Sequence, residues 1–297
     1  MSILEKLRGT GVALVTPFQS NGAIDFSAYH KLIDFVIEGG VDYVVTLGTT
    51  GESPVLDKEE KIKLITATYE YVNARVPVVV GVGGNYTHAV LNDLRTFPLD
   101  GAAAILSVSP YYSKPSQEGI YLHYKAVAEA SPKPVILYNV PGRTGRDVSV
   151  DTVVRLSHEV SNIIGIKDAS GDVVTGIRLL KHCPDSFLVI SGDDHLAVAQ
   201  ISCGMAGVIS VAANAFPQRF ASMINAALKY DFQKARALNA ALLEGYDLMF
   251  CENNPSGVKA FLAEQGLIEN YLRLPGVPLS KQNHQKVREY LANVNVD

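Results

Sequence analysis

Short apolar runs and longer amphipathic stretches alternate along most of this chain. Each run ends in a turn rich in glycine, proline or polar residues, which is typical of a buried strand bounded by a loop. Between the runs, apolar residues recur at intervals of three and four, the spacing of one helix face. We predict eight strands from this pattern, at residues 12–16, 42–47, 77–82, 102–108, 134–139, 163–167, 187–191 and 207–211.

A helical pattern follows each predicted strand. Asp25, Asp57 and Asp172 stand where three of these helices begin, and an aspartate there can cap a helix. Strands that alternate with helices indicate right-handed βαβ units and a parallel sheet. Eight such units favour a closed (β/α)8 TIM barrel over an open doubly wound sheet. No Gly-x-Gly-x-x-Gly follows the first strand, so the dinucleotide-binding form of the open sheet lacks its main signature.

After residue 216 the pattern is helical only, at 217–230, 232–250, 255–264 and 280–294. The first of these helices closes the eighth unit, and the others exceed what a barrel needs. We therefore predict a barrel over residues 1–230 and a C-terminal helical segment over residues 231–297. That segment would pack on the barrel and is suited to contacts between subunits.

The composition excludes several classes of partner. The 297 residues are 47% hydrophobic and 19% charged, as in a well-cored globular protein. A net charge of −4 and an isoelectric point near 6.0 argue against binding to nucleic acid or to an anionic membrane, since both need a basic face. We expect a cytoplasmic protein, because no signal peptide or membrane segment is evident and the three cysteines form no Cys-x-x-Cys pair.

The predicted strand ends would meet on one face of the barrel, where such folds build their sites. Lys167 ends the sixth strand. Poor hydration there favours the neutral amine, which is a nucleophile toward carbonyl groups and can form a Schiff base. Taken alone, a lysine that closes a strand more often simply reaches water.

Other strand ends add hydroxyls and a guanidinium. The turn that carries Thr49 and Thr50 between glycines can present backbone N–H groups to an anion, although an ordinary turn is the commoner interpretation. Tyr138 is either a core residue with a bonded hydroxyl or a proton carrier beside an imine. Arg143 suits bidentate carboxylate binding, or equally a surface ion pair.

A metal site is not predicted. Asp193, Asp194 and His195 are consecutive, but the seven histidines are scattered and none forms a His-x-His or His-x-x-x-His pair. Asp194 is interpreted instead as the cap of the helix that follows it.

Three of these strand ends carry a recognisable resemblance. The segments at 48–52 (Gly-Thr-Thr-Gly-Glu), 138–145 (Tyr-Asn-Val-Pro-Gly-Arg-Thr-Gly) and 165–168 (Gly-Ile-Lys-Asp) resemble the signatures of the dihydrodipicolinate synthase / N-acetylneuraminate lyase family. The resemblance extends in register from Gly11 to about Asn214 and, less distinctively, over the C-terminal helices. It implies a class I pyruvate aldolase on a TIM barrel that uses a covalent imine on Lys167 and no metal or other cofactor.

The resemblance also implies a role for each matching residue. Lys167 would form the Schiff base with pyruvate, and Tyr138 would pass protons and contact the pyruvate carboxylate. Thr49 would relay protons between Tyr138 and Tyr112, the latter donated across a dimer interface. Binding of pyruvate would use three further positions: Thr50 and its amide on the carboxylate, Ile209 through its backbone, and Gly192 as a residue that keeps the pocket open.

Arg143 distinguishes members of the family by their second substrate. Members that use L-aspartate-4-semialdehyde carry an arginine there for its carboxylate, whereas sialic acid lyases usually lack it. Tyr111 beside Tyr112 indicates the same group. The expected reaction is condensation of pyruvate with the semialdehyde to 4-hydroxy-tetrahydrodipicolinate, in diaminopimelate and lysine biosynthesis. The family also implies at least a homodimer, with a homotetramer of two tight dimers as the usual assembly.

The chain departs from the lysine-inhibited members of the family at one site. They typically carry histidines at 58 and 61 and a glutamate at 89, whereas this chain has lysines and an alanine. The implied, degenerate lysine site comprises Ser53, Lys58, Lys61, Asn85, Ala89 and Tyr111. Lost negative charge and added positive charge predict weak or absent inhibition by lysine.

Two alternatives stay open at this point. The chain could be another pyruvate-dependent aldolase of the family, a lyase of N-acetylneuraminate or of a 2-keto-3-deoxy acid. It could also be a non-catalytic homologue that binds a keto acid, although such a protein would be expected to lack part of the catalytic set.

Overall fold

The computed structural model describes residues 2–294 and contains a closed barrel of eight parallel strands. The strands are β1 (Gly9–Ala13), β2 (Tyr43–Thr46), β3 (Val78–Gly81), β4 (Ala104–Val108), β5 (Val135–Asn139), β6 (Ile163–Asp168), β7 (Leu188–Ser191) and β8 (Gly207–Ser210). Each pairs with the next along the chain, and β1 pairs with β8. The predicted TIM barrel is therefore confirmed.

Helices surround the barrel and continue beyond it. They are α1 (Ile3–Lys6), α2 (Phe26–Glu38), α3 (Lys58–Val72), α4 (Thr87–Thr96), α5 (Gln117–Ala130), α6 (Pro141–Thr144), α7 (Val150–Glu159), α8 (Val173–His182), α9 (Ala197–Ser202), α10 (Pro217–Leu228), α11 (Phe232–Ala240), α12 (Leu243–Phe250), α13 (Ser256–Glu264) and α14 (Lys281–Asn293). Among residues 2–294, no helix is long and apolar enough to cross a membrane.

Helix starts follow the capping chemistry of the sequence. The carboxylates of Asp25, Asp57 and Asp172 each accept a bond from a backbone N–H of the first turn, as predicted. The sequence analysis missed α6, which begins at a proline and ends where Gly145 takes a left-handed φ of 72°. This short turn carries Arg143 at the mouth of the barrel.

Two layers of apolar side chains hold the barrel. One lies between the strands and the helices, and the other fills the barrel interior with alternate strand residues such as Tyr43, Ile136 and Ile190. Gly11 permits this filling, because a Cβ there would lie 2.3 Å from the Tyr43 ring. The packed interior leaves the carboxyl ends of the strands as the place for a site.

The C-terminal helices differ from the prediction in one place. The prediction of a single helix at 232–250 was wrong, since α11 and α12 are separate helices that meet at Ala241 and Leu242. Leu242 is fully buried, and the Ala241 carbonyl accepts a 2.8 Å bond from the Tyr290 hydroxyl of α14. This tertiary bond satisfies a carbonyl that the helix would otherwise use. The division of the chain at residue 230 stays a prediction.

Candidate active site

Lys167 and Tyr138 are neighbours at the carboxyl ends of β6 and β5. The two residues are register partners, so their side chains enter the barrel mouth at the same level. Both are buried, and the Lys167 ammonium lies 4.3 Å from the centroid of the Tyr138 ring. Among residues 2–294, Lys167 forms no ion pair or side-chain hydrogen bond. A buried amine without an anionic partner is suited to attack a carbonyl.

Gly192, after β7, lies against the Lys167 side chain. A Cβ at this position would be 3.0 Å from Lys167 Cε and 2.7 Å from Ala169 Cβ. Because φ of Gly192 lies outside the left-handed region, space and not backbone conformation requires the glycine. The glycine therefore permits the close approach of the Lys167 side chain, and its role in keeping the pocket open stays a prediction.

The turn after β2 carries the two threonines. Its N–H groups at Gly51 and Glu52 bond within the turn, to the Gly48 and Thr49 carbonyls, so only part of the predicted anion-binding row is free. The N–H groups of Thr49 and Thr50 have no recorded acceptor in the described chain. Thr50 is buried, and its hydroxyl accepts a 3.0 Å bond from the Asn254 amide.

Two cavities open at this end of the barrel. A small one of about 70 Å³ is bordered by Thr49, Lys61 and Tyr138. A larger one of about 410 Å³ is bordered by Thr49, Lys61, Tyr111, Arg143 and Asn254 among others. Thr49 and Lys61 border both cavities, so the pocket beside Tyr138 adjoins a wider space on the side of Arg143.

A third cavity is not the candidate site. It measures about 970 Å³ and lies at the opposite end of the barrel, where Gly9, Asp42 and Val78 begin or precede their strands. None of the residues singled out from the sequence borders it. In this fold the chemistry is built at the other face, which carries Lys167.

Arg143 and the two tyrosines occupy the outer rim. Arg143 is exposed, and its guanidinium donates a 3.1 Å bond to the Asn254 carbonyl. Tyr111 is 39% exposed and borders the larger cavity. Tyr112 is 89% exposed, with a left-handed φ of 67°, and borders neither cavity. Within one chain, the structure does not bring Tyr112 to the other predicted catalytic residues.

Known proteins with similar sequences show the family of this chain. The family model described as the dihydrodipicolinate synthetase family matches residues 6–294. The chain belongs to this family. The 4-hydroxy-tetrahydrodipicolinate synthase of Cytophaga hutchinsonii is 48% identical over 292 residues, covering 96% of this chain and 98% of its own, and that of Parabacteroides distasonis is 46% identical over 290 residues, covering 98% of each.

A solved structure of the family is also closely similar. The chloride-inhibited dihydrodipicolinate synthase from Acinetobacter baumannii, complexed with pyruvate, superposes with a TM-score of 0.95 at 42% identity. The match covers 98% of this chain and all of that one. At 42% identity, this similarity supports membership of the same family as well as the same barrel fold.

The remaining residues carried over from the family are distributed unevenly. Ile209 is buried in β8 on the inner face of the barrel. Of the residues assigned to the degenerate lysine site, three border the larger cavity and three exposed ones do not. The bordering residues are Ser53, Lys61 and Tyr111, and the others are Lys58, Asn85 and Ala89.

The consecutive Asp193, Asp194 and His195 form neither a metal site nor the predicted cap. Asp193 accepts the bonds from the N–H groups that open the turn before α9, whereas Asp194 is 2% exposed and accepts bonds of 3.1 and 2.8 Å from Val211 and Ala212. The cap interpretation of Asp194 was wrong, because the carboxylate ties the β7 loop to the end of β8. Among residues 2–294, no group of three or more His, Cys, Asp or Glu side chains is placed to hold a metal ion.

A buried carboxylate that follows Lys167 in the chain was not singled out from the sequence. Asp168 follows Lys167, is fully buried, and accepts bonds from Asn139 at 2.8 Å and from Ser170 at 2.7 Å. Burial raises the pKa of this carboxyl group, and the two hydrogen bonds oppose the rise. The Asp168–Asn139 bond fastens β6 to β5 one residue beyond Lys167 and Tyr138. The alternation of side chains along a strand could have indicated this contact, since residues 139 and 168 both face away from the barrel interior.

Proposed function

We propose that this chain is a 4-hydroxy-tetrahydrodipicolinate synthase, which condenses pyruvate with L-aspartate-4-semialdehyde in diaminopimelate and lysine biosynthesis. The observation that carries the proposal is the buried, unpaired Lys167 amine beside the Tyr138 ring, with Gly192 next to it where a side chain would crowd the lysine. Full-length relatives with this name support the choice of reaction.

The reaction begins on Lys167. Its neutral amine attacks the ketone carbon of pyruvate, water leaves, and the resulting imine withdraws electrons from the methyl group. Loss of a methyl proton gives an enamine, whose carbon attacks the aldehyde carbon of the second substrate. The new alkoxide takes up a proton, and the amino group of the bound semialdehyde then attacks the imine carbon, which closes the ring of the product and displaces the Lys167 nitrogen as a free amine. No metal or other cofactor takes part in this scheme.

Proton transfer falls to Tyr138. Its ring lies 4.3 Å from the Lys167 ammonium, which supports a role for its hydroxyl in delivering a proton to the leaving water and recovering one from the methyl group. Thr49 borders the same small cavity and extends the path toward the partner subunit's Tyr112. The amide of Thr50 and its neighbour hold the pyruvate carboxylate, and the backbone of Ile209 contacts pyruvate.

Arg143 binds the carboxylate of the semialdehyde. It borders the wider cavity, which adjoins the small cavity beside Tyr138 and has room for a second substrate. A guanidinium can hold a carboxylate through two parallel hydrogen bonds, which fixes the orientation of the aldehyde.

The exposed Tyr112 supports an assembly of at least two chains, with a homotetramer as the proposed form. A co-expressed hybrid tests this assignment. Tyr112→Phe and Lys167→Ala subunits are each inactive alone, but a mixed dimer has one site with both Lys167 and the partner's tyrosine. Recovered activity supports the shared site, and its absence in an isolated mixed dimer contradicts it.

A cytoplasmic location completes the proposal. The exposed free thiols of Cys203 and Cys251 support it, since such thiols persist in reducing compartments.

The choice of acceptor decides between this function and other aldolases of the family. Pyruvate consumption is measured with the semialdehyde and, separately, with N-acetylmannosamine, using Lys167→Ala as control. Turnover with the semialdehyde alone, lost in the variant, is expected. Turnover with the sugar alone would overturn the assignment.

A further inference from the structure

Glu52 has an unusual conformation and environment for a loop glutamate. It follows the two threonines of the β2 turn, takes a left-handed φ of 54°, and is 7% exposed. A non-glycine residue in this region is strained, and a buried carboxylate is costly without a partner. Burial raises the pKa of the Glu52 carboxyl group, and the ammonium of Lys259 opposes the rise. Something outside the turn must therefore hold it.

Lys259 of α13 is that partner. Its side chain is fully buried, and its ammonium forms an ion pair with the Glu52 carboxylate. The same nitrogen donates a 3.0 Å bond to the Tyr271 carbonyl and lies 4.3 Å from the centroid of the Phe18 ring. Burial lowers the pKa of Lys259 to about 8, and the facing carboxylate limits the fall. Each partner thus offsets the cost of burying the other.

A second contact between the C-terminal segment and this turn lies close to the ion pair. Asn254, which precedes α13, donates its amide to the Thr50 hydroxyl, 204 positions earlier in the chain. The Asn254 carbonyl accepts the guanidinium of Arg143. The segment after the barrel therefore reaches both the threonine turn and the acceptor side of the candidate site.

We infer that the Glu52–Lys259 pair is a positioning element for pyruvate binding: it holds the turn in the conformation that aims Thr49 and Thr50 into the pocket of Lys167. This inference rests on the proposed function, in which these threonines serve the pyruvate carboxylate. Lys259 borders neither cavity, and the Glu52 carboxylate, at the edge of the wider one, is engaged by the Lys259 ammonium. Their effect passes through the backbone of the turn, because Glu52 is joined to Thr50 by a single glycine.

A merely structural role would have a different signature. If the pair only stabilised the fold, its removal would lower the melting temperature and the active fraction, while the folded enzyme would bind pyruvate normally. A positioning role instead moves the Michaelis constant for pyruvate, because the threonine amides no longer meet the carboxylate. The Michaelis constant for the semialdehyde depends on the other rim of the site and changes far less.

The test uses the double variant Glu52→Gln/Lys259→Met in the full-length enzyme. Removing both charges leaves no unpaired buried ion, so the variant avoids the destabilisation expected when one partner is lost. The readout is the pyruvate concentration that gives half-maximal borohydride trapping of Lys167, together with the two Michaelis constants and the melting temperature. We expect the pyruvate concentration for half-maximal trapping and the Michaelis constant for pyruvate to rise about 10-fold or more each, since small displacements of positioning groups are costly.

Two companion variants sharpen the result. Glu52→Asp keeps the charge but withdraws the carboxylate by one methylene, and it should raise the pyruvate values in the same direction. Arg288→Gln removes an exposed ion pair with Glu264 in the same segment and should leave them unchanged. If either Glu52 variant had the wild-type trapping concentration and the wild-type Michaelis constant for pyruvate, the inference would be overturned. A wild-type enzyme whose Lys167 is not trapped by pyruvate would overturn the proposed function itself.

Discussion

Replacing Gly192 by alanine tests the geometry around the amine most sharply. The added Cβ would lie 2.7 Å from Ala169 Cβ and 3.0 Å from Lys167 Cε. Carbon atoms in contact prefer separations of roughly 3.5–4.0 Å, so the neighbours must give way by about 0.5–1 Å. The Asp168 carbonyl, 3.1 Å from the new atom, closes a third side. The flexible lysine stem is therefore the group that moves.

The expected loss follows from that displacement. Overpacking of this size costs about 1–3 kcal/mol, and a misplacement of roughly 1 Å in a reacting group can lower the rate about 100-fold. We predict that kcat/KM for pyruvate falls about 10- to 100-fold in Gly192→Ala, which corresponds to about 1.4–2.8 kcal/mol. Most of the loss should appear in the rate of imine formation, because the pocket for the carboxylate is unchanged.

The assay follows trapping of Lys167 by borohydride as a function of pyruvate concentration, beside steady-state turnover. Gly84→Ala is the matched control on the same face, since its Cβ would make an ordinary 3.4 Å contact with Val90 and its φ is not left-handed. The control should behave as wild type. Turnover of Gly192→Ala within about twofold of wild type, well below the loss expected from such a displacement, would refute the assigned geometry.

Three further predictions concern other parts of the molecule. Arg143→Ala should lower kcat/KM for the semialdehyde about 10- to 100-fold, since a charged hydrogen bond contributes about 1.5–3 kcal/mol, while trapping by pyruvate alone persists; unchanged turnover would contradict the acceptor role. Glu60→Gln should lower the free energy of unfolding at pH 7 by about 1.5–3 kcal/mol, because Arg273 bonds this carboxylate and lowers its pKa below the ordinary 4.5. A lowered pKa stabilises the fold above the ordinary value, so urea midpoints of variant and wild type should converge as the pH falls below 4.5, and a constant gap would contradict the linkage. Lysine should inhibit weakly or not at all, and inhibition at micromolar lysine would show that Lys58, Lys61 and Ala89 still form a working site.

The barrel was predictable because its signal is local. Each strand is a short apolar run, and several helix starts carry a capping aspartate such as Asp57, so neighbouring residues largely determine these elements. Boundaries were less accurate. The first strand was expected at residues 12–16 but is Gly9–Ala13, because pairing with β2 and β8 and not composition decides where a ladder ends.

What the sequence could not supply are contacts between distant segments. Asp194 was expected to cap the next helix, yet its carboxylate bonds to the end of β8, a partner that only the closed barrel brings near. Lys259 had no pattern to distinguish it from a surface lysine on an amphipathic helix. Its role became visible when the fold placed α13 against the β2 turn and buried the ammonium on Glu52.

Lys167 is the lysine proposed to form the imine, and Lys259 serves as an internal comparison. Lys167 and Lys259 are both buried, but only Lys259 has a carboxylate partner. The first measurement is therefore peptide mass spectrometry of the enzyme reduced with borohydride in the presence of pyruvate. We predict one pyruvate-derived adduct, on Lys167, with none on Lys259 and none in the Lys167→Ala variant. An active enzyme with its adduct on another lysine, or with no adduct, would contradict it.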